Sequence, residues 1–127
     1  MNVPLNRIKT NRAHRRQLAW LYAFAFLSRV AFSFFFSRYY YGEVSFTFGD
    51  TESFTRPFLN LLTHGVYTFD FSNIDAYLYR PPVYPLFWGI HYLVAGAEGV
   101  FPFVALTQCF IDAGSSLMCV IIAEKLG

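Results

Sequence analysis

Charged residues are scarce in this chain. Asp, Glu, Lys and Arg make up 14% of the 127 residues, whereas hydrophobic residues make up 55%. A soluble globular domain carries roughly 25% charged residues, so this chain cannot cover a water-exposed surface. The 16 Phe and 9 Tyr also exceed what a small soluble core can bury. Composition therefore excludes a soluble domain and predicts an integral membrane protein.

Cysteine is scarce as well, and no metal-binding pattern is present. Cys109 and Cys119 lie in one apolar run, where a helix would separate them by ~15 Å, too far for a disulfide between them. His64 and His91 lack metal-like partners at helical spacing. We therefore expect no metal or other cofactor, and the cysteines say nothing about redox compartment.

Acidic residues are absent from the first 17 positions, which instead carry a basic cluster: Arg7, Lys9, Arg12, Arg15 and Arg16. The cluster precedes an apolar run at 18–36, which spans ~28 Å as a helix and predicts a first transmembrane segment. Basic residues beside a span favour a cytoplasmic N-terminus. A nucleic-acid-binding arm is the alternative, but no binding module accompanies it, so no nucleic-acid partner is expected. The apolar run is too long for a typical cleaved signal peptide.

Two further apolar runs follow a polar stretch at 37–82, which we expect to be an extracytoplasmic loop. The runs at 83–97 and 103–123 predict a second and a third span, joined around Gly99 and Pro102. Within the loop, apolar spacing predicts a surface helix from Thr51 to His64, ending at Gly65. Pro57 predicts either a kink in this helix or two short helices. The expected fold class is an all-α membrane protein with about three transmembrane helices and short surface helices in the loop.

Two charges fall inside predicted spans. Arg29 lies ~16 Å along the first span and Asp112 ~14 Å along the third, by helical rise. If the third span starts at the cytoplasm, the two depths agree. An unpaired charge in hydrocarbon is costly, so we expect Arg29 and Asp112 to form a buried polar pair. The alternative is that each contacts other spans.

Three sequence stretches, in this order, resemble the N-terminal part of GT-C membrane glycosyltransferases, in particular the protein mannosyltransferase and aminoarabinose transferase relatives of glycosyltransferase family 39. They are GDTESF at 49–54 followed by NLLTHGVY at 60–67, then RPPVYPLF at 80–87, and more weakly QCFID at 108–112 with AEKLG at 123–127. Phe54 replaces a usual Tyr, and Pro57 with Phe58 replaces small helix-forming residues. The resemblance implies that this chain is the N-terminal piece of a larger helical bundle, whose remaining transmembrane helices would be its partners.

The resemblance implies that Asp50 is the catalytic base for sugar transfer from a polyprenyl-phosphate donor to an acceptor hydroxyl, with inversion. Such a transfer needs one carboxylate on the attacking side, because the lipid phosphate leaves as a stable anion. From spacing alone, Asp50 could equally cap the helix that begins at Thr51. Glu52 is a candidate accessory group, and a divalent ion between these two carboxylates is allowed by ligand type but not required by spacing.

Arg80 matches the basic residue that contacts the donor phosphate in the aminoarabinose transferase branch. A guanidinium suits a phosphate diester through its planar donors. The alternative is an interfacial arginine beside the second span. The expected function is thus a lipid-dependent glycosyltransferase in a bacterial inner membrane or plasma membrane, or in the endoplasmic reticulum of a eukaryote. A small non-catalytic multi-span binding or assembly protein, and a channel or transporter segment, are the alternatives.

Overall fold

The computed structural model describes residues 12–42, 46–47, 49–73 and 80–126. Its ordered elements are all helical across this part of the chain, with no strand. They are α1 (Arg12–Ala31), a π-helical segment (Phe32–Phe36), α2 (Ser37–Tyr41), α3 (Thr51–His64) and α4 (Val83–Leu126). The all-α prediction is confirmed for these residues. The predicted basic segment 1–17 lies mostly outside the described residues.

The predicted first span at 18–36 lies inside one continuous helical stretch. α1 passes through the π-helical segment into α2 without leaving helical backbone, since Ala31, Phe36 and Ser37 all have right-handed helical dihedral angles. The helix therefore continues to Tyr41, five residues beyond the predicted boundary at 36. Residues 37–41 belong to this helix and not to the loop, because no helix-breaking residue occurs before Gly42.

The predicted surface helix forms with its expected bounds. α3 runs from Thr51 to His64, and Gly65 occupies its C-cap and donates its N–H to the Leu61 carbonyl. Pro57 lies inside this single helix and is buried. The proline removes one backbone hydrogen bond without dividing the helix, so the alternative of two short helices is wrong.

α4 contains two arms, 83–95 and 97–126, which meet at Gly96. Gly96 has φ 69° and ψ −177°, a conformation open essentially to glycine alone. The arms fold back on each other, because His91 Nε2 lies 2.9 Å from Thr107 Oγ1. In a straight helix these two residues would be ~24 Å apart. The break was predicted around Gly99 and Pro102, but both of these residues are helical in α4.

The second arm of α4 (97–126) packs antiparallel to α1. His14 Nε2 lies 3.3 Å from Glu124 Oε2 at one end of the pair. Toward the other end, Ser33 Oγ lies 3.7 Å from Cys109 Sγ. Glu124 therefore lies at the N-terminal end of α1. The comparison of the depths of Arg29 and Asp112 assumed the opposite direction for this helix.

The first arm of α4 (83–95) packs against α3 and against the start of the second arm. The buried core consists of Phe58 from α3, Trp88 from the first arm, and Val100 and Val104 from the second arm. Gly89 faces the Phe58 ring so closely that a Cβ there would overlap the ring carbons. This close contact seats α3 on the first arm.

Two helical segments in the described residues are long and apolar enough to cross a membrane, His14–Tyr41 and Val83–Leu126. Their apolar side chains are mostly exposed, including Phe24 at 73% and Val94 at 73%. A core helix of a soluble protein would bury such side chains, so their exposure favours contact with lipid. The predicted spans at 83–97 and 103–123 both fall within α4, and a count of three crossings is not confirmed.

Candidate functional site

Asp50 and Arg80 form an ion pair at the N-terminus of α3. Arg80 Nη2 donates to Asp50 Oδ2 at 2.7 Å. Asp50 occupies the N-cap position of α3, but its side chain makes no capping hydrogen bond. The side chain is 74% exposed, whereas that of Arg80 is 26% exposed. One oxygen of the carboxylate thus accepts a hydrogen bond from the arginine, and the carboxylate is accessible to solvent.

Three neighbours hold Arg80 in place. Its Nε donates to Ser53 Oγ at 3.1 Å, and the Ser53 hydroxyl donates to the Asp50 carbonyl at 2.7 Å. The guanidinium carbon lies 4.6 Å from the centre of the Phe54 ring, a cation–π distance. The Tyr67 hydroxyl donates to the Arg80 carbonyl at 3.0 Å. These contacts fix the guanidinium beside the carboxylate.

Sequence reasoning missed Ser53 and Tyr67. Ser53 lies three residues after Asp50 on the first turn of α3, so its helical spacing placed it near the carboxylate. Burial raises the pKa of the Tyr67 hydroxyl above its ordinary value. That hydroxyl therefore stays protonated and able to donate to the Arg80 carbonyl at neutral pH. The position of Tyr67 had no local signal, because its partner lies 13 residues further along the chain, beyond the reach of helical spacing.

A cavity of about 460 Å³ opens beside the ion pair. Asp50, Thr51 and Thr55 give it polar atoms, and its remaining lining is aromatic: Phe46, Phe54, Tyr84, Trp88 and Phe101. The lining residues come from the loop, from α3 and from both arms of α4. The fold-back at Gly96 is what brings the two arms to this site.

Glu52 does not join the candidate site. Its Oε1 lies 3.5 Å from Arg56 Nη2, one helical turn further along α3, and its side chain is 71% exposed. This is a solvated helical ion pair. In the part of the chain that the structure describes, no group of three His, Cys, Asp or Glu residues is arranged to hold a metal ion.

Further along the loop, Asp70 forms a local turn with Ser72. The Ser72 N–H and its hydroxyl both donate to Asp70 Oδ1, at 2.9 and 2.8 Å. These bonds, the backbone bond first, lower the pKa of the Asp70 carboxyl, and the charge of Arg56 adds a smaller effect. Asp70 is thus held as a carboxylate by its own turn and not by the candidate site.

The structure brings Arg29 and Asp112 into contact. Arg29 Nε donates to Asp112 Oδ2, Nη2 donates to Ser116 Oγ at 3.0 Å, and Nη1 donates to the Ala25 carbonyl at 3.0 Å. A cavity of about 560 Å³ adjoins this pair between α1 and α4, lined also by Ser33. The pair joins α1 to the second arm and makes no contact with Asp50 or Arg80 among the described contacts.

His64 and His91, which were considered as metal ligands, have ordinary partners. His91 bridges the arms of α4 through Thr107, and its Nδ1 lies 2.7 Å from the Phe87 carbonyl oxygen. His64 Nδ1 lies 2.7 Å from the hydroxyl of Thr63.

Comparisons of the chain with protein-family models, with curated proteins and with solved structures found no match.

Proposed function

We propose that this chain is the N-terminal portion of an integral membrane glycosyltransferase of the GT-C type. In this proposal the enzyme moves a sugar from a polyprenyl-phosphate donor to an acceptor hydroxyl, with inversion. The observation that carries the proposal is the Asp50–Arg80 pair. It joins residues 30 positions apart and borders a cavity lined by aromatic rings. A base and a phosphate-binding cation are the two groups that this reaction requires.

The chemistry assigns separate roles to the two side chains. Asp50 takes the proton from the acceptor hydroxyl as that oxygen attacks the anomeric carbon. Arg80 binds the phosphate, which leaves from the opposite face with the bonding electrons. No hydrogen bond to Asp50 Oδ1 occurs among the described residues, whereas Oδ2 accepts one from Arg80. Oδ1 is thus the oxygen that carries no hydrogen bond from these residues while the ion pair is closed.

Inversion requires the Asp50–Arg80 contact to open. The base and the leaving phosphate must lie on opposite faces of the sugar, and inverting carboxyl pairs are separated by roughly 6.5–9.5 Å to leave room for the reactants. The Arg80 Nη2 to Asp50 Oδ2 distance is only 2.7 Å. In this proposal, donor phosphate replaces the carboxylate as the partner of Arg80 during transfer.

The test is sugar transfer by membranes containing the full reading frame, supplied with a radiolabelled polyprenyl-phosphate hexose. Asp50→Asn should lower the rate about 10²–10⁴-fold, the usual contribution of a general base, without lowering expression. Asp70→Asn is the matched control, because Asp70 is another loop aspartate and pairs with its own turn. Transfer that survives Asp50→Asn would remove this carboxylate from the mechanism.

The proposal includes a topology with a cytoplasmic N-terminus, in which α1 crosses outward and the second arm of α4 crosses inward. The antiparallel packing of these two helices supports it. Both ends of the first arm lie toward the outer half of α1. Near one end, Arg80 pairs with Asp50. The cavity beside Asp50 is also lined by Phe46, whose ring lies 5.5 Å from that of Phe34, in the π-helical segment that follows α1. At the other end, Gly96 joins the outer end of the second arm. The first arm and α3 then form the outer layer that holds the candidate site.

Cysteine labelling distinguishes this topology from three crossings. In a background with both native cysteines replaced by alanine, Glu98→Cys should react with a membrane-impermeant maleimide added outside, and Glu124→Cys should not. Three crossings from the same cytoplasmic N-terminus predict the opposite pattern, since the turn after the first arm would then face the cytoplasm. That opposite pattern would refute the proposed topology.

A further inference from the structure

Trp88 carries a buried hydrogen-bond donor without a partner. The residue is 3% exposed, and its indole Nε1 finds no acceptor among the described residues. Buried polar atoms in native proteins are nearly always hydrogen-bonded, so an exception calls for an explanation. The other tryptophan, Trp20, is 67% exposed on α1 and has no such constraint.

The Trp88 ring is held by its neighbours. Tyr92 stacks on it at 5.2 Å between ring centres, Phe58 meets it edge-on at 6.2 Å, and Phe101 lies at 5.9 Å. A ring packed on several sides cannot turn its N–H toward bulk solvent without disturbing the core. The indole N–H is closed off from water-sized groups in this arrangement, so an acceptor in the cavity reaches it only when a neighbouring ring shifts.

Trp88 also lines the cavity that contains Asp50. The same cavity presents the hydroxyl-bearing side chains of Thr51 and Thr55, together with several aromatic rings. A sugar ring has apolar C–H faces and a rim of hydroxyl oxygens. Aromatic walls with a few placed polar groups suit such a ligand, because the rings cover its faces and the polar groups fix its orientation.

We infer that this cavity binds the sugar of a lipid-linked donor, and that the Trp88 indole N–H donates a hydrogen bond to a sugar oxygen. This inference rests on the proposed function and deepens it by placing the sugar between the aromatic walls beside Asp50. The cavity volume of about 460 Å³ lies within the usual range for small-ligand sites, which is ≈ 300–1,000 Å³. Trp88 is thus a sugar-binding residue that orients the ring toward Asp50.

Nuclear magnetic resonance of the ¹⁵N-labelled indole groups tests the inference directly. The chain in lipid nanodiscs should give two indole signals, one for each tryptophan, and Trp20→Phe identifies that of Trp88. Without ligand, the Trp88 N–H proton should resonate at the upfield position of a donor without an acceptor. Adding polyprenyl-phosphate mannose should move it downfield, while bare polyprenyl phosphate should not. The Trp20 signal is the internal control and should stay in place.

Three results would overturn the inference. They are a Trp88 signal already downfield without ligand, no movement with the mannose-bearing lipid, and equal movement with bare polyprenyl phosphate. The last result would make a phosphate oxygen the acceptor. As an independent measure, Trp88→Phe removes the donor and keeps an aromatic ring, and it should weaken binding of the mannose-bearing lipid about five-fold, the value of one neutral hydrogen bond.

The inference and the proposed function can fail separately. Suppose that transfer occurs and Asp50→Asn abolishes it, but the Trp88 signal does not move when the sugar lipid is added. The sugar then lies elsewhere, and the glycosyltransferase proposal stands. If the Trp88 signal moves with the sugar lipid but Asp50→Asn leaves transfer intact, the binding site stands and the catalytic assignment of Asp50 fails.

Discussion

Gly89 offers a direct test of how α3 is seated on the first arm of α4. Replacing Gly89 by alanine would place a Cβ in overlap with the Phe58 ring carbons Cδ2 and Cε2, and 2.5 Å from Cγ. Phe58 is 7% exposed and packs in the core, so its ring has little room to move. Overpacking of this kind costs about 1–3 kcal/mol of unfolding free energy.

Gly114 is the matched control within the same α4 helix. A Cβ at Gly114 meets nothing within 4 Å, so Gly114→Ala should stabilise the helix by roughly 0.5–1 kcal/mol through helix propensity alone. Gly89→Ala gains the same helix propensity, so the two variants should differ by the overpacking cost of about 1–3 kcal/mol. The measurement is urea unfolding in detergent micelles, followed by circular dichroism at fixed detergent concentration.

A second variant identifies the contact responsible. Phe58→Leu shortens the ring that Cβ would meet, so Gly89→Ala should cost less in that background than in the unmodified chain. Because Phe58 lies on α3 and Gly89 on the first arm, the loss of their fit should also disturb the Asp50–Arg80 pair. Equal stability of Gly89→Ala and Gly114→Ala would refute the packing of α3 on the first arm.

Two further predictions concern charges outside the candidate site. The Asp70 carboxyl should titrate below the ordinary aspartate value, and Ser72→Ala should raise its pKa part of the way back, as measured by carbon NMR of the carboxyl. Because its pKa is lowered on folding, Asp70 favours the folded state above the unfolded-state pKa of about 3.9, and this contribution disappears as the pH falls through the folded-state value. For the intramembrane pair, Arg29→Asp with Asp112→Arg should restore expression and thermal stability better than either single change, and a double variant no better than the singles would show that the pair does not join the helices.

The pairing of Arg29 with Asp112 could be predicted although the direction of the second helix could not. Both residues lie near the middle of long apolar helices, and a residue near the middle has a similar depth when measured from either end. The agreement between the two depths therefore holds whichever way the second helix runs. The cost of an unpaired charge in hydrocarbon supplied the rest of the argument.

The pairing of Asp50 with Arg80 could not be predicted from the sequence. α3 itself could, because its apolar spacing and Gly65 are local signals. The ion pair depends instead on where the first arm of α4 lies, and that position depends on the fold-back at Gly96. Gly96 and Gly99 offer the same freedom to the backbone, so no local signal distinguished the glycine that turns the chain from the one that stays helical.

The apolar run at 83–97, which the sequence predicts to be the second span, is short for a full crossing. At ~22 Å it falls short of the roughly 30 Å hydrocarbon core, whereas α1 with its extension and the second arm each exceed that thickness by helical rise. Hydrophobicity alone assigns a segment to the membrane, but only length decides whether it can reach the other side. In the proposed topology, the short arm turns back at Gly96 near the outer boundary, which brings Phe101 of the second arm into the cavity beside Asp50. An arm long enough to cross would still begin beside Arg80, but it would carry Phe101 away from the carboxylate, so the shortness of this segment is what allows one cavity to include rings from both arms.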